Sequence, residues 1–472
     1  MASMLPDVKP AGPLTPTDPH DPLAWNELGK ARLREGDFPA AAEAFHQAVV
    51  LAPQLAEAQF HLGGALQRLH QLDAAEEALR RALELLPENA AIHNNLGLVL
   101  LGRHRLGEAE RCFRAALSLL PASIEAQTNL GKALVAQNRL AEAEGCYRLA
   151  IERDAARAVE AINGLAVVLR DLGRLPEALS AALQALQLRP DYLEALNTHG
   201  TVLLHMGRLD EARDCFERVL AEDEQCVPAY SNIARVLHEQ GDFAESERYR
   251  RRALALDPDD AETHFGLSFT LLAQGRLEEG FEEYEWRWRT RQFSVPTRCS
   301  VRPVWDGRPL SGETVLVNVE QGFGDAIQFS RFVPALGKLG ARVVLRCQPE
   351  LKELLRTSAV AADVVDFGEA APEHDLEIPL LSLPHRLGIG LEALPFATAY
   401  LAADGARAAK WAERLSGPGG LKVGLCWAGN TENKLDHRRS IDLAQLAPLA
   451  VLEGVRWFSL YKGARPASLA AP

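Results

Sequence analysis

Along the first 290 residues, apolar and small side chains recur with helical spacing, and the pattern repeats about every 34 positions. Trp25, Leu28 and Gly29, followed by Ala41, Phe45, Ala48 and Pro53, set the pattern. Leu62, Gly63, Ala75, Leu79, Ala82 and Pro87 repeat it, and so do Leu96, Gly97, Ala109, Phe113, Ala116 and Pro121. A fourth unit has Leu130, Gly131, Ala143, Tyr147 and Ala150, with Ala155 where proline is expected. A fifth has Leu165, Ala166, Ala178, Ala182, Ala185 and Pro190. The sixth (His199, Gly200, Ala212, Phe216) and seventh (Ile233, Ala234, Ser246, Ala253, Pro258) are looser. The eighth keeps Leu267, Gly280 and Tyr284, then departs into Trp286-Arg287-Trp288. Each unit predicts two antiparallel helices. Small residues let them approach, large residues fill the groove beside them, and proline ends the second. No unit buries its apolar stripe alone, so the units are expected to stack into a right-handed superhelix with a concave groove.

After Pro296 the pattern alternates strand and helix. Val315–Val319 reads as a buried parallel strand, followed by Glu320-Gln321-Gly322-Phe323-Gly324-Asp325 and an amphipathic stretch from Ala326 to Leu339. Further strands are expected at Arg342–Arg346, Val364–Phe367, Leu376–Leu380 and Val423–Trp427, with helices from Glu350 and over Ala406–Leu415. This is the plan of a doubly wound α/β domain.

Composition sharpens the division. The chain has 472 residues, with 51 Lys and Arg against 64 Asp and Glu. Residues 1–294 carry net charge -14 and residues 295–472 net +1, and six of the seven tryptophans lie after residue 285. That sign argues against nucleic acid as a partner. No apolar run approaches a membrane span, and residues 1–21 read as a proline-rich disordered leader, so a cytoplasmic protein is expected. Seven scattered cysteines without a CxxC pair predict neither a disulfide framework nor a metal site. Cys112, Cys146 and Cys215 share one repeat position and read as small packing groups. His61, His93, His199 and His264 read as helix-face or core histidines.

Three sets of polar residues stand out. Asn95, Asn129 and Asn232 each precede the leucine or isoleucine that marks a first helix, with Asn163 and Asn197 one place earlier in their units. A row of amides on the groove face can pair with an extended peptide backbone whatever its side chains; the alternative is drift at a tolerant surface position. In the α/β part, the Gly322/Gly324 loop lies where ligands bind in doubly wound sheets. Asp325 there is the expected N-cap of the following helix, and it also sits where a general base could reach a hydroxyl. Beyond the strand at Val423, Asn430 and Arg438-Arg439-Ser440 form either a diphosphate-holding loop or a solvated one.

These residues carry a resemblance. The helical repeats fit the tetratricopeptide repeat (TPR). The array running into Tyr284-Glu285-Trp286-Arg287-Trp288, then Trp305-Asp306-Gly307, Glu320-Gln321-Gly322-Phe323-Gly324-Asp325-Ala326-Ile327-Gln328-Phe329, Pro379–Pro384 and Gly424–Asn430 with Arg438-Arg439-Ser440-Ile441, resembles bacterial TPR-glycosyltransferases. These are related to heptosyltransferases and, in plan, to O-linked N-acetylglucosamine transferases. The resemblance implies a fold of α plus α/β class: a leader (1–21), an all-α TPR superhelix (22–294), an acceptor-side Rossmann-like domain of GT-B type (295–420), and the start of a donor-binding domain (421–472) that is expected to be incomplete. It implies Asp325 as catalytic base, with Glu320, Gln321, Gly322, Gly324 and Gln328 in the acceptor-side loop. Asn430, Arg438, Arg439 and Ser440 would face the donor diphosphate, and Asn95, Asn129 and Asn232 would guide a polypeptide. No metal or cofactor is implied; a nucleotide sugar would be the substrate, if the donor domain were complete. Two functions stay open: sugar transfer to a hydroxyl on a polypeptide held by the groove, or a non-catalytic TPR scaffold whose transferase part is vestigial.

Overall fold

The computed structural model describes residues 18–290, 302–320, 322–394, 399–417, 419–429 and 440–460. The chain divides into two compact units, residues 1–236 and 237–472.

The first unit is built of paired helices: α1 (Pro22–Arg34) with α2 (Phe38–Leu51), α3 (Ala56–Arg68) with α4 (Leu72–Leu85), and α5 (Ala90–Gly102) with α6 (Leu106–Leu119). They continue as α7 (Ile124–Ala136) with α8 (Leu140–Arg153), α9 (Val159–Asp171) with α10 (Leu175–Leu188), and α11 (Leu193–His205) with α12 (Leu209–Glu222). Helix α13 (Val227–Glu239) crosses the division between units.

The repeat spacing has a steric origin. A Cβ added to Gly29 would lie 2.5 Å from the Phe45 ring, and one on Gly97 or Gly131 equally close to Phe113 or Tyr147. In these pairs the first helix therefore gives up a side chain where the second inserts its largest one; α9 and α10 instead bring Ala166 and Ala182 to those positions. Tyr147 is held on two sides, because a Cβ on Gly164 would meet its ring at 2.6 Å.

The turn inside each pair is set by one residue in the left-handed region. Gly36, Gly173 and Gly207 occupy it with φ of 75–79°, and His70, His104 and Asn138 occupy the same place with φ of 57–59°. Glycine carries no steric cost there, whereas the other three are held in place by the packed helices on either side.

The second unit opens with α14 (Phe243–Leu256), α15 (Ala261–Ala273), α16 (Leu277–Tyr284) and a 3-10 turn, Glu285–Arg289. The α/β part follows in the order β1 (Thr314–Asn318), α17 (Phe323–Phe329), α18 (Val333–Lys338), β2 (Arg342–Cys347), α19 (Pro349–Thr357), β3 (Asp363–Asp366) and β4 (Leu376–Pro379). Then come α20 (Leu383–Arg386), α21 (Gly405–Arg414), β5 (Leu421–Leu425) and β6 (Val455–Ser459). Strands β1 to β4 form a parallel sheet in the order β3-β2-β1-β4, and β5 and β6 form a separate parallel pair.

One sheet face is the core of this unit. Val315, Val317, Val343, Leu345 and Ile378 are buried there with Ala326, Val333 and Leu336. Tyr284 joins that core, and Phe281 of α16 meets Phe329 edge-on at 6.0 Å. The expected change of fold near residue 294 thus falls inside one compact unit, where the last repeat helices share a core with the sheet.

Two local expectations are corrected. The stretch Ala326–Leu339 is not one helix: a 3-10 turn at Ser330–Phe332 separates α17 from α18. Pro334 supplies no N–H, so it fits the first turn of α18 but not the interior of a longer helix. Asp325 is not the N-cap of α17. Gly322 holds that position, and Asp325 lies three residues further on in the first turn, where the helix dipole favours its charge.

Candidate functional site

Two polar arrangements answer the residues singled out in the sequence. The first lies on the first helices of the repeats. Asn129 Nδ2 donates to Asn94 Oδ1 at 3.0 Å, and Asn232 Nδ2 donates to Asn197 Oδ1 at 3.0 Å. The amides are linked diagonally: each Asn before the marker residue reaches the amide one place earlier in the preceding unit. Asn95 is half-buried on α5, but it is the neighbouring Asn94 that takes the bond. Asn129 is itself buried, and an N–H of both Asn129 and Asn232 is already used. The expected row of equivalent amides is therefore a set of pairs.

The second arrangement surrounds the end of β1. Arg287, in the turn after α16, is fully buried. Its Nη2 donates to Glu320 Oε1 at 2.7 Å and to Ser382 Oγ at 2.8 Å, and its Nη1 donates to Glu285 Oε1 at 2.6 Å. Ser382 Oγ closes the network by donating to Glu285 Oε1 at 2.8 Å. The guanidinium also lies over the rings of Tyr284 and Trp288. Burial pushes the Glu320 carboxyl up to about 7, against the pull of Arg287. Glu320 is thus a structural anchor, with its side chain 3% exposed, and not an open acceptor-side group.

The neighbouring loop is more open. Gly322, Gly324 and Gln328 are exposed and Asp325 is half-buried. A Cβ on Gly324 would meet nothing within 4 Å. Gln321, Asn430, Arg438 and Arg439 lie outside the described residues, as do residues 1–17 of the leader. Ser440 Oγ accepts from the Gly429 N–H at 3.0 Å, and the Ile441 N–H donates to Trp427 O at 2.9 Å.

Other tempting residues are absorbed by packing. Cys146 and Cys215 are buried, and burial raises the pKa of both thiols above the ordinary range. His264 Nε2 donates to Pro258 O at 2.9 Å, Nδ1 meets Glu283, and the ring stacks on Trp286 at 3.8 Å. Among the described residues no group of three His, Cys, Asp or Glu could hold a metal ion, and no helix is long and apolar enough to cross a membrane.

One repeated feature was missed in the sequence. Glu76, Glu110, Glu144 and Glu247 sit at the same place on second helices, with side chains 6–16% exposed. Each forms an ion pair with an arginine four residues on: Arg80, Arg114, Arg148 or Arg251. Each also accepts from the arginine before the next second helix: Arg105 at 2.6 Å, Arg139 at 2.7 Å, Arg174 at 2.8 Å and Arg276 at 2.8 Å. Those arginines also bind Glu108, Glu142, Glu177 and Glu279. Burial opposes ionisation of Glu76, Glu110, Glu144 and Glu247, but hydrogen bonds and nearby arginine charges hold all four below the ordinary carboxylate range. The signal was present as arginines and glutamates in the repeat register, hidden because each looks like an ordinary solvated charge.

Family models agree with the helical repeats. Models of the tetratricopeptide repeat match residues 22–55, 62–124, 123–155, 157–225, 197–261 and 232–287, together more than half of the chain. Protein FlbA of Caulobacter vibrioides is 30% identical over 228 residues, 44% of this chain, and the chain spans 38% of that relative's length. A tetratricopeptide repeat protein from Parabacteroides merdae has a TM-score of 0.47 and 18% identity, covering 53% of this chain and 98% of the other. Pseudomonas aeruginosa pilF gives 0.37 and 20%, covering 44% and 94%. The register of small and large residues, the paired helices and the matching models all identify residues 22–287 as TPRs, and the chain belongs to the tetratricopeptide-repeat proteins.

Proposed function

We propose that this chain binds a polypeptide on the face formed by the first helices of its repeats, acting as an interaction scaffold. The observation that supports this is the pairing of Asn129 with Asn94 and of Asn232 with Asn197 on successive first helices. A primary amide has two N–H donors and a two-lone-pair carbonyl, so pairing leaves capacity at both members for a peptide backbone. The pairing also fixes the amide orientation, which reduces the ordering cost on binding. The test is an array of unstructured 15-residue peptides probed with the full chain. Replacing Asn95, Asn129 and Asn232 by Ala should weaken capture about tenfold; unchanged capture would end this reading.

A second reading, sugar transfer from a nucleotide sugar to a hydroxyl, draws on one observation. The order β3-β2-β1-β4 reverses direction at β1, and the Gly322–Asp325 segment follows that strand at its C-terminal end. Ligands of open parallel sheets bind at such a reversal. In this reading Asp325 is the base and Arg438, Arg439, Ser440 and Asn430 hold the diphosphate. Calorimetry with a UDP-sugar tests it: binding weakened by Arg439→Ala supports transfer, and no heat leaves the scaffold alone.

A further inference from the structure

The ion-pair ladder is missing between α2 and α4, as it is where α10 carries Leu179 and Leu183, and between α2 and α4 its place is taken by a cleft. At the interface of α4 with the next second helix, four positions hold Glu76, Arg80, Arg105 and Glu108, whose side chains meet across it. One repeat earlier the same four positions hold Ala42, His46, Gln71 and Ala74. Every charge of the ladder has been replaced, two of them by alanine. All four replacements line a cavity of about 920 Å³ between α2 and α4.

Its walls have a definite chemistry. Helix α3 provides Leu62 and Leu66, Leu69 follows at its C-terminal cap, and Val49 and Ala78 complete the apolar surface. These residues belong to a small cluster at the α2–α4 end of the array. The rim carries Glu43, His46 and Glu77. The rim arginines are already matched: Arg80 by Glu76 and Glu108, and Arg81 by Glu84. Glu43 accepts only from Gln47 on its own helix, and neither Glu43 nor Glu77 forms an ion pair among the described residues.

We infer that this cleft is a second docking site, on the second-helix side, for a helical segment of a partner protein that carries aliphatic side chains flanked by Lys or Arg. The aliphatic groups fill the space over Ala42, Ala74 and Ala78, and the cations meet the unmatched Glu43 and Glu77. Small residues at the interface make the room, since restoring Glu and Arg would close it. The site goes beyond the first-helix reading and does not depend on it.

The test uses the full chain and a fluorescein-labelled 14-residue helix-forming peptide with a Leu stripe flanked by Lys, against its counterpart with Glu for every Lys. Anisotropy should show saturable binding of the Lys peptide and at least tenfold weaker binding of the Glu peptide. The double variant Ala42→Glu/Gln71→Arg restores a ladder pair and leaves net charge unchanged, so diffuse attraction is the same in both proteins. It should lose about tenfold in affinity with its circular dichroism and thermal midpoint kept. Should that variant fold poorly, Glu43→Gln/Glu77→Gln keeps the shape and should lose affinity several-fold while flattening the salt dependence. Asn129→Ala/Asn232→Ala should leave this binding intact, which separates failure here from failure of the first-helix reading. Equal binding by a folded Ala42→Glu/Gln71→Arg variant, or no preference for the Lys peptide, overturns the proposal. Tighter binding after removal of residues 1–17 would overturn it in favour of that segment as occupant. Self-association abolished by the double variant would do so in favour of a second copy.

Discussion

Arg287 and Glu320 form a salt bridge at 2.7 Å with side chains 0% and 3% exposed, and the pair joins the turn after the last repeat helix to the end of the first strand. Both charges have left water, so the pair holds only while both members are present. Arg287→Met would strand Glu320 beside Glu285 in the core. The expected loss is about 3–5 kcal/mol, measured by urea unfolding followed through the tryptophans of the second unit. Arg287→Met combined with Glu320→Gln should recover part of it; no recovery would show that packing of the guanidinium on Tyr284 and Trp288 dominates.

The same pair predicts a pH dependence opposite to that of the repeats. The Glu320 carboxyl is raised to about 7 by burial. Between its ordinary value near 4.5 and 7, the unfolded chain has released this proton while the folded chain retains it. Stability from this group therefore falls as pH rises through that window. Glu320→Gln should flatten the slope of thermal midpoint against pH from 5 to 7. An unchanged slope would remove Glu320 as its source.

The ladder carboxylates behave in the other sense. Glu76, Glu110, Glu144 and Glu247 are held below the ordinary range, so their stabilisation is complete above about pH 4.5 and lost as pH falls through their folded values. Glu110→Gln should cost about 1 kcal/mol at pH 7, since its arginine partners are half-exposed and screened by solvent. Once the pH has fallen below the lowered folded value of this carboxyl, the variant and the parent should converge. Persistence of the difference in acid would show that shape, not charge, is what Glu110 contributes.

Gly131→Ala tests the close approach that generates the repeat spacing. The added methyl would lie 2.5 Å from the Tyr147 ring, which is backed by Gly164 and cannot retreat. A loss of about 1–3 kcal/mol is expected. Gly145→Ala, whose Cβ would meet nothing within 4 Å, is the control and should be neutral or stabilising.

His104→Gly tests the turn. His104 is exposed, with φ of 57° at a position where other units use glycine. Relief of that conformation should offset the entropy glycine adds to the unfolded chain, giving a net change within about 0.5 kcal/mol. A loss well beyond that would reveal a contact made by the imidazole.

Much of the fold was legible because it rests on periodic steric demands. Gly131 opposite Tyr147, or proline after a second helix, follows from how closely two helices must pass, and that demand writes itself into every unit. Buried strands such as Thr314–Asn318 were legible for a similar reason: a strand covered on both faces is a short run of valine and leucine. Capping at Gly322 in place of Asp325 was not legible, because helix entry depends on where the strand before it ends.

What the sequence by itself determined is the repeat: which residues are small, which are large, and how often. Only the tertiary structure decided which charges are structural. Glu76 and Glu77 are adjacent glutamates on one helix, yet one is clamped between Arg80, Arg103 and Arg105 and the other stands on the rim of a cleft. Arg287 looks like one arginine in a basic and aromatic run, yet it is fully buried among partners up to 95 residues away. The physical reason is range. Helix pairing is written in local spacing, whereas the fate of a charge is set by what the folded chain brings within hydrogen-bond distance of it.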